Sequence, residues 1–329
     1  MQLTDWSFVS GRAAVMEGDL LKGDFFQGLL GHERMEDVFL QIGETRYKEI
    51  FTRIALLENA EELLQNYWGQ SLDDFEDACP SPCVVALFRL ATDFSNCKAF
   101  LKTDLFGLEQ KYLTGGKYSR EQFAEIRQGN AGKEDDYLAV PTRLLLEEVA
   151  AGRAIASTVD WIMDSAYLER LLECSEHTGS KTIRGVIEAT MRLRAVGVIH
   201  RAVTLGEKAD DVDRLFLKGS LDLDTLHSML RSRPEDWGEA LGHELGPEAA
   251  AEVVRGIQSG DRNAMARSLA SSLALSVDHC RNVTYGPERP YGYLYGLEIE
   301  LRNLKVVLAG LSNGISADQI GKRLLPSFV

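Results

Sequence analysis

The hexapeptide Asp93-Phe94-Ser95-Asn96-Cys97-Lys98 returns 207 residues later as Glu300-Leu301-Arg302-Asn303-Leu304-Lys305, with an acid, Asn and Lys at positions i, i+3 and i+5 both times. A charged strip on a helix explains a single copy. Two copies in matching context need another cause: an apolar run with helical spacing leads into each phrase, and a Gly-bearing bend and a short capped segment follow. Their separation is two steps of about 104 residues, which predicts a third unit halfway. The echo there is weak but in register. Gly116-Lys117-Tyr118-Ser119 opens a segment with Phe123 and Ile126, and Gly219-Ser220-Leu221-Asp222 opens one with Leu226 and Met229 at the same offsets. Ser119 and Asp222 stand where a side chain accepts from the first free amides of a helix. After Asn303 the spacing is compressed, with Gly314 followed by Ser316 and Gln319 as a capping box. Gly197 and His200 occupy the acid and Asn positions of the middle copy. The expectation is internal triplication, with units at 1–130, 131–233 and 234–329 and the middle one divergent.

The periodicity throughout is that of helices. Leu56, Leu57, Ala60, Leu63, Leu64 and Tyr67 recur at three- and four-residue steps with Glu58, Glu61 and Glu62 opposite. The same spacing runs through Val84, Leu87, Phe88, Ala91, Phe94 and Leu101, and through Leu144, Leu145, Val149, Ile155, Val159 and Ile162. No alternating strand or Asn-Gly hairpin signal competes. Prolines support an all-α fold by position: Pro80 and Pro82 precede the helix of Asn96, Pro287 and Pro290 precede that of Asn303, and Pro141, Pro234 and Pro247 suit first turns. Pro326 follows the last short helix, and the joints between units fall near 128–134 and 232–247.

At 329 residues and 45% hydrophobic content the chain can bury a large core. No stretch approaches the roughly 18 apolar residues that span a bilayer, and the N-terminus lacks the basic and apolar regions of a signal peptide. The expected location is therefore the cytoplasm. A net charge of −14 disfavours nucleic acid and anionic lipid as partners. Five cysteines, at 79, 83, 97, 174 and 280, are an odd set without zinc-ligand spacing, so reduced thiols are expected.

A search for chemistry yields little. His32-Glu33 and His243-Glu244 lack the second His of a metalloprotease helix, and Gly-Lys at 116, 132 and 321 lacks the leading Gly of a phosphate-binding loop. Acid pairs such as Asp73-Asp74, Asp135-Asp136 and Asp210-Asp211 read as solvated faces. No catalytic, cofactor or metal residues are assigned. His200 suggests packing, with an all-α enzyme built on it as the weaker alternative. Tyr285, Tyr291, Tyr293 and Tyr295 form either a helix-start staple or, as tyrosines often do, a contact surface; Tyr291, Tyr293 and Tyr295 are the interface candidates.

The stretch from Tyr295 to Leu324 resembles the C-terminal signature of the C subunit of V-type and A-type rotary ATPases, related to subunit d of the eukaryotic vacuolar enzyme. Glu300, Arg302, Asn303, Leu304, Gly314 and the tail from Pro326 to Val329 carry the match. Gly11 to Leu21, Phe25-Phe26 and Thr45-x-Tyr47 look like the family's opening helices, whereas residues 185–205 depart from the pattern. The resemblance implies a non-catalytic subunit of three similar helical domains in a pseudo-threefold funnel. Such a subunit sits on the cytoplasmic face of the membrane, receives the central shaft (D/F-type subunits) and stands on the proteolipid ring. The other reading is a free helical scaffold that binds protein partners.

Overall fold

The computed structural model describes residues 6–51, 60–130, 136–205 and 221–328. Leu56, Leu57, Glu58, the joint residues 131–135, Asp210, Asp211, Gly219, Ser220 and Val329 lie outside them. Among the described residues the secondary structure is helical, without strands. In chain order come α1 (Ser7–Glu17), α2 (Gly23–Leu30), α3 (Met35–Gly43), α4 (Lys48–Phe51), α5 (Ala60–Ala78), α6 (Cys83–Phe106), α7 (Arg120–Arg127) and α8 (Ala139–Ala150). There follow α9 (Ala156–His177), α10 (Lys181–Leu205), α11 (Leu223–Arg231), a 3-10 turn (Pro234–Asp236), α12 (Gly238–Leu245), α13 (Pro247–Gln258), α14 (Arg262–Arg281), α15 (Glu288–Ser312) and α16 (Ala317–Gly321). The fold is all-α. None of these helices is long and apolar enough to cross a membrane.

Local chemistry sets many of the boundaries. Pro82 and Pro287 are the N-cap residues of α6 and α15, the helices that carry the repeated phrase. Pro141 and Pro290 fall inside first turns, where no intrahelical bond needs the missing N–H. Ser119 and Gln122 close a reciprocal capping box on α7, Asp222 accepts from the amides of Asp224 and Thr225, and Ser316 accepts from Gln319. One expected run breaks in two. The apolar series from Leu144 to Ile162 is interrupted after α8 at Gly152, which turns with φ 69°. Leu144 and Ile155 consequently face solvent.

α15 is the hub. It packs on α1, α2, α5, α6, α10, α14 and α16, and its residues from Pro290 to Gly310 are buried on nearly every side. A helix enclosed all round must be apolar all round, which explains its weak amphipathicity. The first hydrophobic core joins α1–α9 to α15 and to Leu324, Leu325 and Phe328 of the C-terminal tail. A second core gathers Leu226, Met229, Trp237, Leu241, Val253 and Ile257. α10 belongs to both, giving Ile183 to Met191 to the first and Leu193 to Ile199 to the second.

Candidate functional site

The two phrases hold backbone. Asn96 lies on α6 opposite the non-helical segment that follows the helix; its Oδ1 accepts from the Leu113 N–H at 2.7 Å and its Nδ2 donates to the Leu113 carbonyl at 2.8 Å. Asn303 on α15 treats the tail identically, accepting from the Leu325 N–H and donating to the Leu325 carbonyl, both at 2.9 Å. A side-chain amide offers one acceptor and a donor side by side, the same pair a peptide group presents. Each Asn thus satisfies both polar groups of one residue in a segment with no helical partner of its own.

The acids one turn earlier also share a pattern. Asp93 is fully buried; its Oδ1 accepts from the Lys117 N–H at 2.6 Å and its Oδ2 from the Tyr137 hydroxyl at 2.7 Å. Burial raises its pKa above the ordinary carboxylate value, against the lowering effect of bonds from Tyr137, Lys117 and Tyr118. Glu300 takes a backbone N–H, that of Leu21, on Oε2 and the Tyr47 hydroxyl on Oε1, where the Arg46 guanidinium joins it. Arg46 also donates to the Tyr293 hydroxyl at 3.4 Å. Burial, followed by the Glu300 charge, pushes the Tyr47 phenol well up, so it remains a protonated donor. Gly116 makes the first clamp possible: a Cβ there would lie 2.7 Å from the Asp93 Oδ1.

The lysines diverge. Lys98 donates to Asp164 at 2.7 Å and lies 3.9 Å from Asp160, both on α9. Lys305 borders a cleft with Glu61 and Arg302, and burial lowers its pKa while Glu61 opposes the shift.

The tyrosines read as either a helix-start staple or a contact surface lie inside this chain at three of the four positions. Tyr291, Tyr293 and Tyr295 are buried, against Phe88, Phe75 and Phe328 respectively, because α15 is enclosed by its neighbours. Tyr285 alone of that group is exposed. His200 is half-buried, edge-on to Trp237 at 6.2 Å, and burial lowers its pKa. Among the described residues no group of His, Cys, Asp or Glu is arranged to hold a metal. Arg46 and Tyr137 were missed as clamp members. Their only sequence signal is a polar residue beside a tyrosine, Arg46-Tyr47 and Asp136-Tyr137.

Chemically the arrangement holds rather than reacts. Both carboxylates have each oxygen engaged by an internal donor, and both lie buried. With the two asparagines they gather the opening helices, the segment after α6 and the C-terminal tail onto two long helices. No curated protein sequence matches the chain. The family model described as the ATP synthase (C/AC39) subunit matches residues 9–323, nearly the whole of it, and the chain belongs to that family.

Proposed function

We propose that the chain is the non-catalytic central-stalk subunit of a V/A-type rotary ATPase, linking the rotor shaft to the membrane proteolipid ring. Membership of the ATP synthase (C/AC39) subunit family carries this reading. A second support is mechanical. A part that passes torque must not yield at its ends, and Glu300 and Asn303 bond Leu21 and Leu325 to the hub helix. In this reading three helical units, at 1–130, 131–233 and 234–329, surround a funnel that receives the D/F-type shaft. The subunit is peripheral, on the cytoplasmic face, and docks through protein contacts, since a net charge of −14 repels anionic lipid.

The test is affinity capture of the tagged chain from native membranes. Proteolipid and shaft subunits are expected together in the eluate, and the isolated chain is expected to hydrolyse no ATP. Recovery of neither partner overturns the proposal. His200→Asn is expected to leave assembly intact; loss of an enzymatic activity of the isolated chain on that substitution points instead to an all-α enzyme.

A further inference from the structure

Five cysteines are free, and they are not alike. Burial pushes the thiols of Cys79, Cys97 and Cys280 up to about 12, which leaves them as inert packing groups. Cys83 differs in place and in neighbours. It is the first residue of the 24-residue α6, at the end where free amides and the helix dipole favour a negative charge, and it is only partly buried. It lines a cavity of ≈ 940 Å³ together with Cys174, Arg170 and His177. The last three stand at i, i+4 and i+7 on α9, hence on one face, and α9 packs along α6. Asp136, Glu169 and Glu173 border the same cavity.

Thiolate formation at Cys83 is supported by its surroundings. The Cys174 thiol beside it, the Ser81 hydroxyl and the charges of His177 and Arg170 hold its pKa below the ordinary thiol value despite burial. Cys174 moves the opposite way, raised by serving as the donor to Cys83 and by its own burial. Position separates the two thiols as well: Cys83, partly buried at the helix start, is the accessible one, and Cys174, 2% exposed on the same cavity, is the sheltered one.

We propose that Cys83 and Cys174 are a reversible redox pair, in which Cys83 reacts with a small disulfide entering the cavity and Cys174 resolves the adduct into a bond between α6 and α9. The Cys83 thiolate attacks one sulfur of a disulfide of the glutathione class, forming a mixed disulfide and expelling one thiolate. Cys174 then gives up its proton and attacks the Cys83 sulfur, and the second thiolate leaves, taking a proton. Two electrons pass from the cysteine pair to the small disulfide, which departs as two thiols. The resulting link ties the start of the helix carrying Asp93 and Asn96 to the end of the helix whose acids hold Lys98.

The experiment treats the full chain with oxidised glutathione at pH 7, followed by intact mass and non-reducing peptide mapping. Wild type is expected to lose two of its five free thiols and to carry no glutathione. C174S is expected to trap one glutathione on Cys83, and C83S to gain neither adduct nor link. A wild-type protein that keeps glutathione on Cys83 as C174S does, an adduct on Cys79 or Cys97 at the same rate, or a link between two chains overturns the proposal. If C83S misfolds by far-UV circular dichroism, limiting iodoacetamide on native wild type decides: Cys83 is expected to alkylate about tenfold faster than the other four, and equal rates overturn the proposal.

Discussion

The clamps on α6 and α15 are written in almost the same residues but close different distances. Asn96 and Asp93 catch Leu113 and Lys117, parts of the segment leaving their own helix, and Tyr137 a little beyond. Glu300 reaches Leu21, Arg46 and Tyr47 at the other end of the chain, while Asn303 holds the tail at Leu325. A short closure costs little entropy, so the first clamp shapes a local turn. The last clamp joins the beginning of the chain to its end. On α10, which lacks the phrase, Gly197 and His200 meet apolar neighbours: Leu269 lies 3.4 Å from where a Gly197 Cβ would be, and His200 meets Trp237.

If long closure matters most, Glu300→Ala is the most damaging single change in either clamp. It leaves Arg46 without its carboxylate and frees the Tyr47 hydroxyl and the Leu21 amide inside the core. The expected loss is about 3–5 kcal/mol in urea denaturation, with faster protease cutting before residue 22. A loss no greater than that of Asp93→Ala breaks the comparison.

Much of the framework was legible because it rests on neighbours in sequence. Ser119, Asp222 and Ser316 cap helices as their spacing indicates, and the prolines sit at helix starts. The contacts of Glu300 were not legible, since no periodic signal relates it to Tyr47, 253 residues away. The tyrosines left two readings open for a related reason. Tyr291-Gly-Tyr-Leu-Tyr-Gly fits a staple or a contact surface equally, and its glycines admit close neighbours that the sequence does not show: a Cβ at Gly296 would fall 2.6 Å from the Phe328 ring. The tail and the loop before α2 therefore cover α15, and the rings turn inward.

The paired asparagines sharpen the comparison residue by residue. Asn303→Ala and Asn96→Ala should each cost about 1–3 kcal/mol, since each abandons a buried or half-buried N–H and carbonyl. Hydrogen exchange distinguishes them. The Leu325 amide is expected to lose protection only in Asn303→Ala, and the Leu113 amide only in Asn96→Ala. Loss of both in either variant means that the clamps are not separate devices.

Asp93 carries a pH signature. Its folded pKa is raised above 3.8, so the folded state takes up its proton more readily than the unfolded chain. The penalty of the buried charge is complete above the folded pKa and is relieved as pH falls toward 3.8. Asp93→Asn cannot titrate. Wild type should therefore gain stability relative to Asp93→Asn as pH is lowered from about 7 into that window, read from urea midpoints. A constant difference across pH means that the bonds from Tyr137, Lys117 and Tyr118 fully offset the effect of burial.

The smallest effects come from the lysines, and there the two copies should differ in sign. Lys98 is part exposed and paired with Asp164 and Asp160, so Lys98→Met is expected to cost about 0–1 kcal/mol. Lys305 is burdened by burial, and its folded pKa lies below 10.5, so its charge weighs against folding at neutral pH. Above 10.5 neither state is charged and that burden vanishes; as pH falls through the folded pKa it is fully restored. Lys305→Met should stabilise the protein slightly at pH 7, and the gain should shrink as pH approaches 10. Urea midpoints of the two variants at pH 7 and pH 9.5 decide the matter: shifts of the same sign and equal pH dependence make the lysines equivalent, and the difference between the clamps then ends at their acids.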